Sequence, residues 1–529
     1  MRLIYLRVDR ALSCGGLLDG AELAVTRPHE ETSLAPLCFI GPNGAGKSQL
    51  LQLIAEIFQT AWHQYSGTEE RLSSNNESLF EVRYRMSSSA GSSRIIKLVR
   101  ESSGRTVGPI QMEVMRDEDG EWHPVAIESP SFGENLPSLV VGYTSGDNET
   151  LSLPFFVSRR GYAADVSEAA LPNKSKGRSK LSGDVPDNRL LLIDYSTHLE
   201  VLVANLLLSP PPLREKIIGH AKLQDLASFR CVIQLHHSAA PSGGVKLTPE
   251  LQNYVDIFRK LATCWDHEPK KNIHTFDFFV DDALRKGFSH YFETAGNLYR
   301  AFHKISLLND LAIPRAARNR LQRDIDSRRF ASRLPEPQDE DKVFRFEQVS
   351  LCRRTDDGSR LLDYVSLSDG EHQLSQILGI FSMIDTPDAL FVLDEPESHF
   401  NPLWRVQFTK SLLELPSESR GHQEVLLTTH APFVPCDLPR EQVLIFGKNA
   451  EDRVQIGPPD IETYGASFDR ILDACFEVSP PISQVAQDEM QHLMDQGTAE
   501  EIADALTRLG PSVERSFLAD RLSQLRAGA

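Results

Sequence analysis

The spacing of apolar residues predicts different structures along the chain. Residues 37–40, LCFI, form a short apolar run typical of a buried strand, and apolar residues then recur at helical spacing through QLLQLIAEIF. Residues 78–160 contain alternating segments separated by Gly, Ser and Asp-Gly steps, which predicts antiparallel hairpins. The longest apolar patterns between 189 and 330 have helical spacing, and alternating strand patterns return from 343.

Together with the motifs described below and the family that they resemble, these patterns predict an α/β fold in which a mixed sheet with flanking helices carries a β-rich arm and a helical insertion. The predicted regions are the N-terminal part of the α/β head (1–60), the β-rich arm (61–162), a flexible loop (163–188), the helical insertion (189–342), the C-terminal part of the head (343–480) and a helical tail (481–529). The loop is predicted from its polar composition, which is rich in Pro, Gly, Ser and Lys.

Composition adds limits on partners and location. The 529 residues suffice for about two to four domains. The net charge of -18 excludes a surface that is basic throughout, so a nucleic acid would need a local basic patch. Seven cysteines without a CxxC pair predict neither a disulfide framework nor a structural zinc site, and they favour a cytoplasmic location. No apolar run approaches the ~18 residues of a membrane span, so no membrane contact is expected.

The strand LCFI runs directly into a phosphate-binding motif. Residues 41–48, GPNGAGKS, fit the pattern GxxxxGK[ST], with an apolar strand before them and a helix after them. Lys47 is expected to reach the β- and γ-phosphates of ATP, and the Ser48 hydroxyl is expected to bind Mg²⁺. The predicted nucleotide-binding residues of the loop are Gly41, Asn43, Gly44, Ala45, Gly46, Lys47 and Ser48.

Two later apolar strands end in residues suited to ATP hydrolysis. ALFVLDEPE leads to Asp394, which is expected to hold Mg²⁺, and to Glu395, which is suited to act as general base for the attacking water. EVLLTTHAPF leads to His430, which is suited to contact the γ-phosphate. An acidic loop after a buried strand is the alternative interpretation of Asp394 and Glu395. Taken alone, His430 is better explained as an ordinary loop histidine.

A further motif, at the start of a predicted helix, is suited to bind a phosphate group. SLSDGEHQL, residues 366–374, places Ser368 and Gly370 at the start of an amphipathic helix, where an anion is favoured. Because the phosphate loop is far away in sequence, either the fold brings the two motifs together or the phosphate belongs to another copy of the protein.

In their order along the chain, these motifs resemble the ABC-type ATPase head of the branch that includes the RecF and SMC proteins. The resemblance covers about 1–60 and 343–480. It implies that Ser368 and Gly370 complete the nucleotide site of a second copy, so that ATP is sandwiched between heads in a homodimer or higher oligomer. Catalytic roles are implied for Lys47, Glu395 and His430.

The signature motif departs from the usual ABC pattern. Asp369 stands where Gly is commonest, and Glu371 follows Gly370. Acidic side chains near a phosphate are unfavourable unless they point away or pair with a basic group, although in a first helical turn they are normal and can form a cap. The glutamine that links the site to the arm in this family has no clear equivalent, and Asn148 within 143–155 is the nearest candidate.

Local motifs suggest a narrower group. EPESHFNP and TTHAPF look like the soluble ATPases of bacterial overcoming-lysogenisation and anti-phage systems. ETYGASFDRIL (462–472) and GYTSGDNE (142–149) look like the restriction-system-associated ATPases and the PtuA subunit of Septu. The resemblance implies a defence role beside a separate nuclease subunit, for which an HNH type is expected.

Two other functions stay open, namely a DNA-repair ATPase that binds DNA directly and an ATP-binding scaffold with little turnover. Residues 314–333 hold seven arginines, which predicts either contact with DNA, RNA or an acidic partner, or a solvated helix with local ion pairs. Arg285 and His290 fit the R-x4-H pattern of HEPN ribonucleases, but an amphipathic helix is the favoured interpretation. Cys264, His267 and His274 lack zinc-site spacing and are expected in loops.

Overall fold

The protein is known from a computed structural model. It describes residues 1–26, 34, 36–67, 70, 77–87, 93–103, 106–116, 120–145, 149–170, 185–194, 197–237, 244–326, 337–355, 358–415 and 423–527. The chain divides into two compact units, Met1–Tyr464 and Gly465–Ala529.

The described strands are β1 (Arg2–Arg10), β2 (Glu22–Ala24), β3 (Leu37–Ile40), β4 (Leu79–Ser87), β5 (Ser93–Arg100), β6 (Ser102–Ser103), β7 (Thr106–Val107), β8 (Gln111–Arg116), β9 (Trp122–Val125), β10 (Val140–Thr144), β11 (Leu190–Ile193), β12 (Leu223–Gln234), β13 (Cys264–Glu268), β14 (Ile273–Phe279), β15 (Phe344–Thr355), β16 (Gly358–Asp363), β17 (Leu390–Asp394), β18 (Glu424–Thr428), β19 (Val443–Lys448) and β20 (Val454–Gly457).

The described α-helices are α1 (Lys47–Tyr65), α2 (Pro130–Glu134), α3 (Glu149–Ala169), α4 (His198–Leu208), α5 (Pro211–Ile218), α6 (Pro249–Leu261), α7 (Asp282–Phe292), α8 (Ala295–Ser306), α9 (Asn309–Ala312), α10 (Arg315–Asp326), α11 (Asp369–Met383), α12 (Pro402–Leu413), α13 (Phe468–Phe476), α14 (Gln484–Gln496), α15 (Ala499–Arg508) and α16 (Val513–Ala527).

The central sheet of the first unit has the strand order β11-β10-β17-β18-β3-β19-β20. Neighbouring strands are parallel from β11 to β19, and β20 is antiparallel to β19. β3, β17 and β18 are buried at every position, which is why their sequences are apolar runs without alternation. This mixed sheet with flanking helices confirms the predicted α/β fold class. Because β3, β17 and β18 are parallel, the loops that follow them meet at one edge of the sheet.

A second sheet, which is antiparallel, has the order β2-β1-β4-β5-β8-β9. One apolar cluster contains Leu6 and Phe80 from this sheet, Phe39 and Val392 from the central sheet, and the buried side chains of α1. α1 therefore packs against both sheets. The helix that follows the phosphate loop is fixed by this packing rather than by its own propensity.

A third sheet, also antiparallel, has the order β13-β14-β12-β15-β16. Its core is aromatic: the rings of Phe229 and Phe278 stack with centroids 4.5 Å apart, and Phe258 of α6 stacks on Phe302 of α8 at 5.3 Å. β16 ends at Asp363, shortly before the first turn of α11. This sheet and its helices thus support the segment that enters the signature helix.

The described residues divide the first unit differently from the predicted regions. In the predicted β-rich arm, β4 pairs with β1, β10 lies in the central sheet, and residues from Glu149 onward are helical. In the predicted helical insertion, β11 joins the central sheet and β12–β14 belong to the third sheet. The predicted loop 163–188 is helical as far as Ala169, and 171–184 lie outside the described residues.

The second unit, Gly465–Ala529, contains α13–α16. Thr498 caps α15 through a reciprocal pair of hydrogen bonds with Glu501. Its small apolar core consists of Met490, Leu493, Ile502, Ala505 and Leu518. Across the described parts of both units, no helix combines the length and apolar content that crossing a membrane requires.

Candidate nucleotide-binding site

The phosphate loop joins the end of β3 to the start of α1, and its glycines are needed for that path. Gly41 has a φ of 134°, and a Cβ at this position would lie 2.2 Å from the carbonyl oxygen of Phe446 on β19. Gly46, with a φ of 98°, stands immediately before α1 and offers no side-chain cap. The first N–H groups of a 19-residue helix therefore face the loop without a side-chain acceptor, an arrangement that favours an anion.

Lys47 folds back over the loop. Its Nζ donates hydrogen bonds to the carbonyl oxygens of Gly41 at 2.9 Å and Pro42 at 3.0 Å. Burial lowers the pKa of Lys47 to about 8, and the nearby Glu395 and Asp394 carboxylates oppose this shift. An anion in the loop would favour the charged amine, because an opposite charge raises the pKa of a lysine.

Ser48 meets the end of β17. Its hydroxyl donates to Oδ1 of Asp394 at 2.9 Å, although the two residues are 346 positions apart. Thr428, the last residue of β18, also donates to Asp394 Oδ1, at 2.6 Å. Burial raises the pKa of Asp394, while the hydrogen bonds from Thr428 and Ser48 lower it. The fold thus brings together a buried carboxylate and a hydroxyl that the sequence assigned to one metal.

These residues fit Mg²⁺. A hydroxyl and a carboxylate, both hard oxygen donors, stand beside the phosphate loop, and Mg²⁺ binds such groups together with phosphate oxygens. Ser48 and Asp394 would hold the ion. When bound, the ion supplies positive charge that neutralises charge developing on the phosphates.

Glu395 and His430 come together at the same sheet edge. His430 Nε2 lies 3.3 Å from Glu395 Oε1, and both side chains are partly exposed, at 33% and 43%. Glu395 has a φ of 47°, a left-handed conformation that costs a non-glycine residue on the order of 1–3 kcal/mol, and its N–H donates to Thr428 Oγ1 at 3.0 Å. Burial lowers the pKa of His430, and the charge of Lys47 lowers it further. The pair is therefore a carboxylate beside an imidazole that is mostly neutral at pH 7.

The signature motif forms a capped helix start. Ser368 accepts a hydrogen bond from Glu371 N at 3.4 Å, and Glu371 Oε2 accepts from Ser368 N at 2.8 Å, which is a capping box. Glu371 Oε1 also accepts from Arg353 at 3.2 Å. The acidic residue after Gly370 is thus both a cap and the partner of a basic group.

Gly370 is required by close packing within its own chain. A Cβ here would lie 2.8 Å from the carbonyl oxygen of His399 and 3.3 Å from Trp404. Gly370 is buried, whereas Ser368 is exposed at the helix start. In the described contacts, the phosphate loop meets Asp394 but neither Ser368 nor Gly370. Within one chain, the described contacts therefore do not bring the signature motif and the phosphate loop together.

Sequence reasoning missed several polar residues that hold this edge together. Thr428 bonds Asp394 and Glu395, Thr429 bonds Glu397, and Gln373 of α11 accepts from His399 N at 3.2 Å. The paired threonines directly before His430 were a signal, because hydroxyls at the end of a buried strand need partners. Gln373 gave no such signal.

The weaker sequence features have structural roles or lie outside the described residues. Arg285 donates to Asp225 at 2.8 Å and to carbonyl oxygens at the end of α4, so this arginine has a structural role. His267 and His274 lie in strands rather than loops, with ring centroids 4.2 Å apart. Among the described residues no group of three or more His, Cys, Asp or Glu could hold a metal ion. Asn148 and 327–333 of the arginine-rich segment are not described.

A phosphate loop that ends a buried parallel strand, beside a hydroxyl–carboxylate pair, is the site of a P-loop nucleoside triphosphatase. In agreement, residues 234–437 match a family described as "AAA domain, putative AbiEii toxin, Type IV TA system". The match includes the signature helix, Asp394, Glu395 and His430, but not the phosphate loop. No curated protein matches the chain. Among solved structures, the SMC head domain from Thermotoga maritima matches with 12% identity and a TM-score of 0.32, covering 87% of this chain and 100% of that one.

Proposed function

We propose that the protein binds and hydrolyses ATP with Mg²⁺ and that its heads dimerise around the nucleotide. The observation that carries this proposal is the contact of Ser48 with Asp394 next to the Glu395–His430 pair. Ser48 and Asp394 would hold the ion. Lys47 contacts the phosphates, Glu395 accepts a proton from the attacking water, and His430 contacts the γ-phosphate.

The surface around the signature helix supports a second copy as the missing part of the site. The capped start of α11 is exposed at Ser368, and its first turn packs on the loop that precedes α12. Large apolar side chains near these two helix starts are exposed: Val365 by 81%, Leu361 by 67% and Leu403 by 62%. Association of two heads through this surface would cover them and would bring Ser368 to the nucleotide of the partner.

We further propose that the dimer controls a separate nuclease subunit in a bacterial anti-phage defence system. The support is the set of local motifs that resemble defence ATPases, together with the family match, whose description names a toxin of a toxin–antitoxin system. In this proposal the ATP-dependent change between open and closed heads is passed on to the partner.

Phosphate release and molecular mass, measured together with ATP, test the ATPase and the dimer. Wild type should release phosphate and double its mass. Glu395→Gln should bind ATP but lose about 100-fold or more in turnover, because it lacks the general base. Lys47→Ala and Ser368→Arg should each be inactive alone. An equal mixture should recover about a quarter of wild-type turnover, since half the dimers are mixed and each has one complete site.

Glu451→Gln serves as the control, because Glu451 is an exposed residue of the turn between β19 and β20. ATP binding without turnover and without a change in mass would contradict the motor and leave a nucleotide-bound scaffold. Failure of the mixture to recover activity, with wild type active, would contradict a site shared between copies.

Direct DNA binding is a second function with an observation in its favour. α10 begins the arginine-rich segment, and its Arg320 and Arg323 side chains are exposed. A DNA-repair ATPase predicts that the isolated protein binds DNA with affinity falling steeply as salt rises, and that Arg320→Ala with Arg323→Ala weakens this binding. Binding that requires a nuclease partner would favour the defence role instead.

A further inference from the structure

Glu397 is a buried acidic residue that the catalytic roles above do not use. It lies in the loop between β17 and α12, two residues after Glu395, and its side chain is 3% exposed. Oε1 accepts a hydrogen bond from the hydroxyl of Thr429, whereas Oε2 is buried without a hydrogen-bond partner among the described residues. A buried carboxyl with one unpaired oxygen is costly, so its presence beside the site calls for a physical reason.

Thr429, the partner of Glu397, fixes the backbone on both sides of His430. Its N–H donates to the carbonyl oxygen of Phe39 on β3 at 3.1 Å. Its Oγ1 accepts from the N–H of Ala431 at 3.0 Å, which closes a turn around His430. The orientation of the imidazole toward Glu395 therefore depends on where the Thr429 hydroxyl is held.

The loop that carries Glu397 is also held by side chains of α11 and α12. His399 N donates to Gln373 Oε1 of α11 at 3.2 Å, and Arg405 of α12 donates to the carbonyl oxygen of Ser398 at 2.8 Å. These contacts leave Glu397 little freedom to move away from Thr429. The hydrogen bond between them is thus a fixed connection from the loop after Glu395 to the turn that carries His430.

We propose that Glu397 is a positioning residue, which acts through Thr429 to hold His430 in hydrogen-bonding reach of Glu395. This inference rests on the proposed ATPase function. The hydrogen bond from Thr429 needs an acceptor oxygen, which the amide of glutamine also supplies, so glutamine is expected to replace Glu397. Burial raises the pKa of Glu397 to about 7, so about half of the carboxyl is already protonated near neutral pH.

Steady-state phosphate release and binding of a fluorescent ATP analogue test this role in the full-length protein. Glu397→Leu and Thr429→Val remove the hydrogen bond at nearly constant size. Each should lower kcat about ten-fold or more, because a displaced catalytic group loses rate steeply, while KM and analogue affinity stay within about three-fold. Glu397→Gln and Thr429→Ser keep the bond and should stay within about three-fold of wild-type kcat.

A double variant separates positioning from a merely structural role. In a His430→Ala background, Thr429→Val should cause no further loss of kcat, because the residue it positions is absent. A further ten-fold loss would overturn the inference. The same conclusion would follow if folded Thr429→Val kept wild-type kcat, if Glu397→Gln lost as much as Glu397→Leu, or if KM rose while kcat did not change.

Thermal unfolding shows whether each variant is folded. If Glu397→Leu is not folded, the kinetics of Thr429→Val alone decide whether the positioning role holds. Wild-type turnover is measured first, with Glu451→Gln as the exposed-glutamate control. No turnover in wild type overturns the proposed ATPase function and this inference with it. Normal wild-type turnover with unchanged Thr429→Val overturns only the inference.

Discussion

At the scale of single residues, the buried carboxyl of Glu397 makes the stability of the first unit depend on pH. Burial raises its pKa from 4.5 to about 7 in the folded chain. Below pH 4.5 the group is protonated in both states and ionisation costs nothing. Between pH 4.5 and about 7 the unfolded chain loses its proton first, so the folded state loses stability as pH rises. Above that range the loss is constant, at about 3 kcal/mol.

Glu397→Gln removes this ionisation and should therefore be more stable than wild type at pH 8. The difference in free energy of unfolding should be larger at pH 8 than at pH 5 by about 2 kcal/mol. Urea unfolding followed by tryptophan fluorescence measures it, because all 4 tryptophans lie in the first unit. Glu451→Gln, at an exposed glutamate, should show no such pH-dependent difference. If the difference in free energy of unfolding between Glu397→Gln and wild type is equal at both pH values, burial does not raise the pKa of Glu397.

At the scale of elements, motifs on continuous apolar runs were predictable and elements with mixed patterns were not. β3, β17 and β18 are local apolar runs with their chemistry at the end, so their sequences were enough to locate Lys47, Asp394 and His430. The alternating segments before α3 led to a predicted β-rich region as far as 160, whereas the structure is helical from Glu149. Pro154 lies inside this helix, where proline interrupts the local helical signal. The packing of its neighbours overrides that local signal.

The side chains that bond to the predicted site residues could not be predicted from the local spacing of apolar residues. Ser48 and Asp394 were assigned to one metal from their motifs, yet the residues that hold them, such as Thr428, come from a strand between β3 and β17. Arg353, which pairs with Glu371, lies on β15. Strand patterns were predicted from 343, but the pairing of β15 with β12 in a separate sheet was not. Such partners depend on topology, which apolar periodicity does not specify.

The capping box of α11 gives the signature helix a stability role that is separable from its proposed contact with ATP. Ser368→Ala removes the acceptor for Glu371 N and should lower the free energy of unfolding by about 1 kcal/mol. Ser368→Asp keeps an acceptor at the N-cap and should unfold like wild type. With ATP, however, Ser368→Asp should fail to dimerise, because its carboxylate would face phosphate.

Urea unfolding and light scattering with ATP separate these two effects. Ser368→Thr is the matched control, since it retains both a cap and an uncharged hydroxyl, and it should behave as wild type in both measurements. If Ser368→Asp still doubles its mass with ATP, the start of α11 does not meet a phosphate and serves only as a cap.

At the scale of the whole molecule, the candidate site and its core lie entirely within the first unit. Lys47, Ser48, Asp394, Glu395 and His430 precede Tyr464, and the apolar cluster around α1 ends at Val454. The second unit has a core of its own, built from a few side chains of α14–α16. A small core of this kind contributes little stability beyond its own helices.

A chain that ends at Tyr464 should therefore fold and bind ATP with an affinity within about three-fold of the full-length protein, since no residue that holds the phosphate loop is removed. Binding of a fluorescent ATP analogue, with Lys47→Ala in both lengths as the non-binding control, measures this. If the shortened chain is folded but loses ATP-dependent turnover or doubling of mass, the second unit takes part in the closed dimer and not in the nucleotide site. If the shortened chain no longer binds the ATP analogue, the site needs residues beyond Tyr464. That result would contradict the inference that the first unit alone contains the nucleotide site.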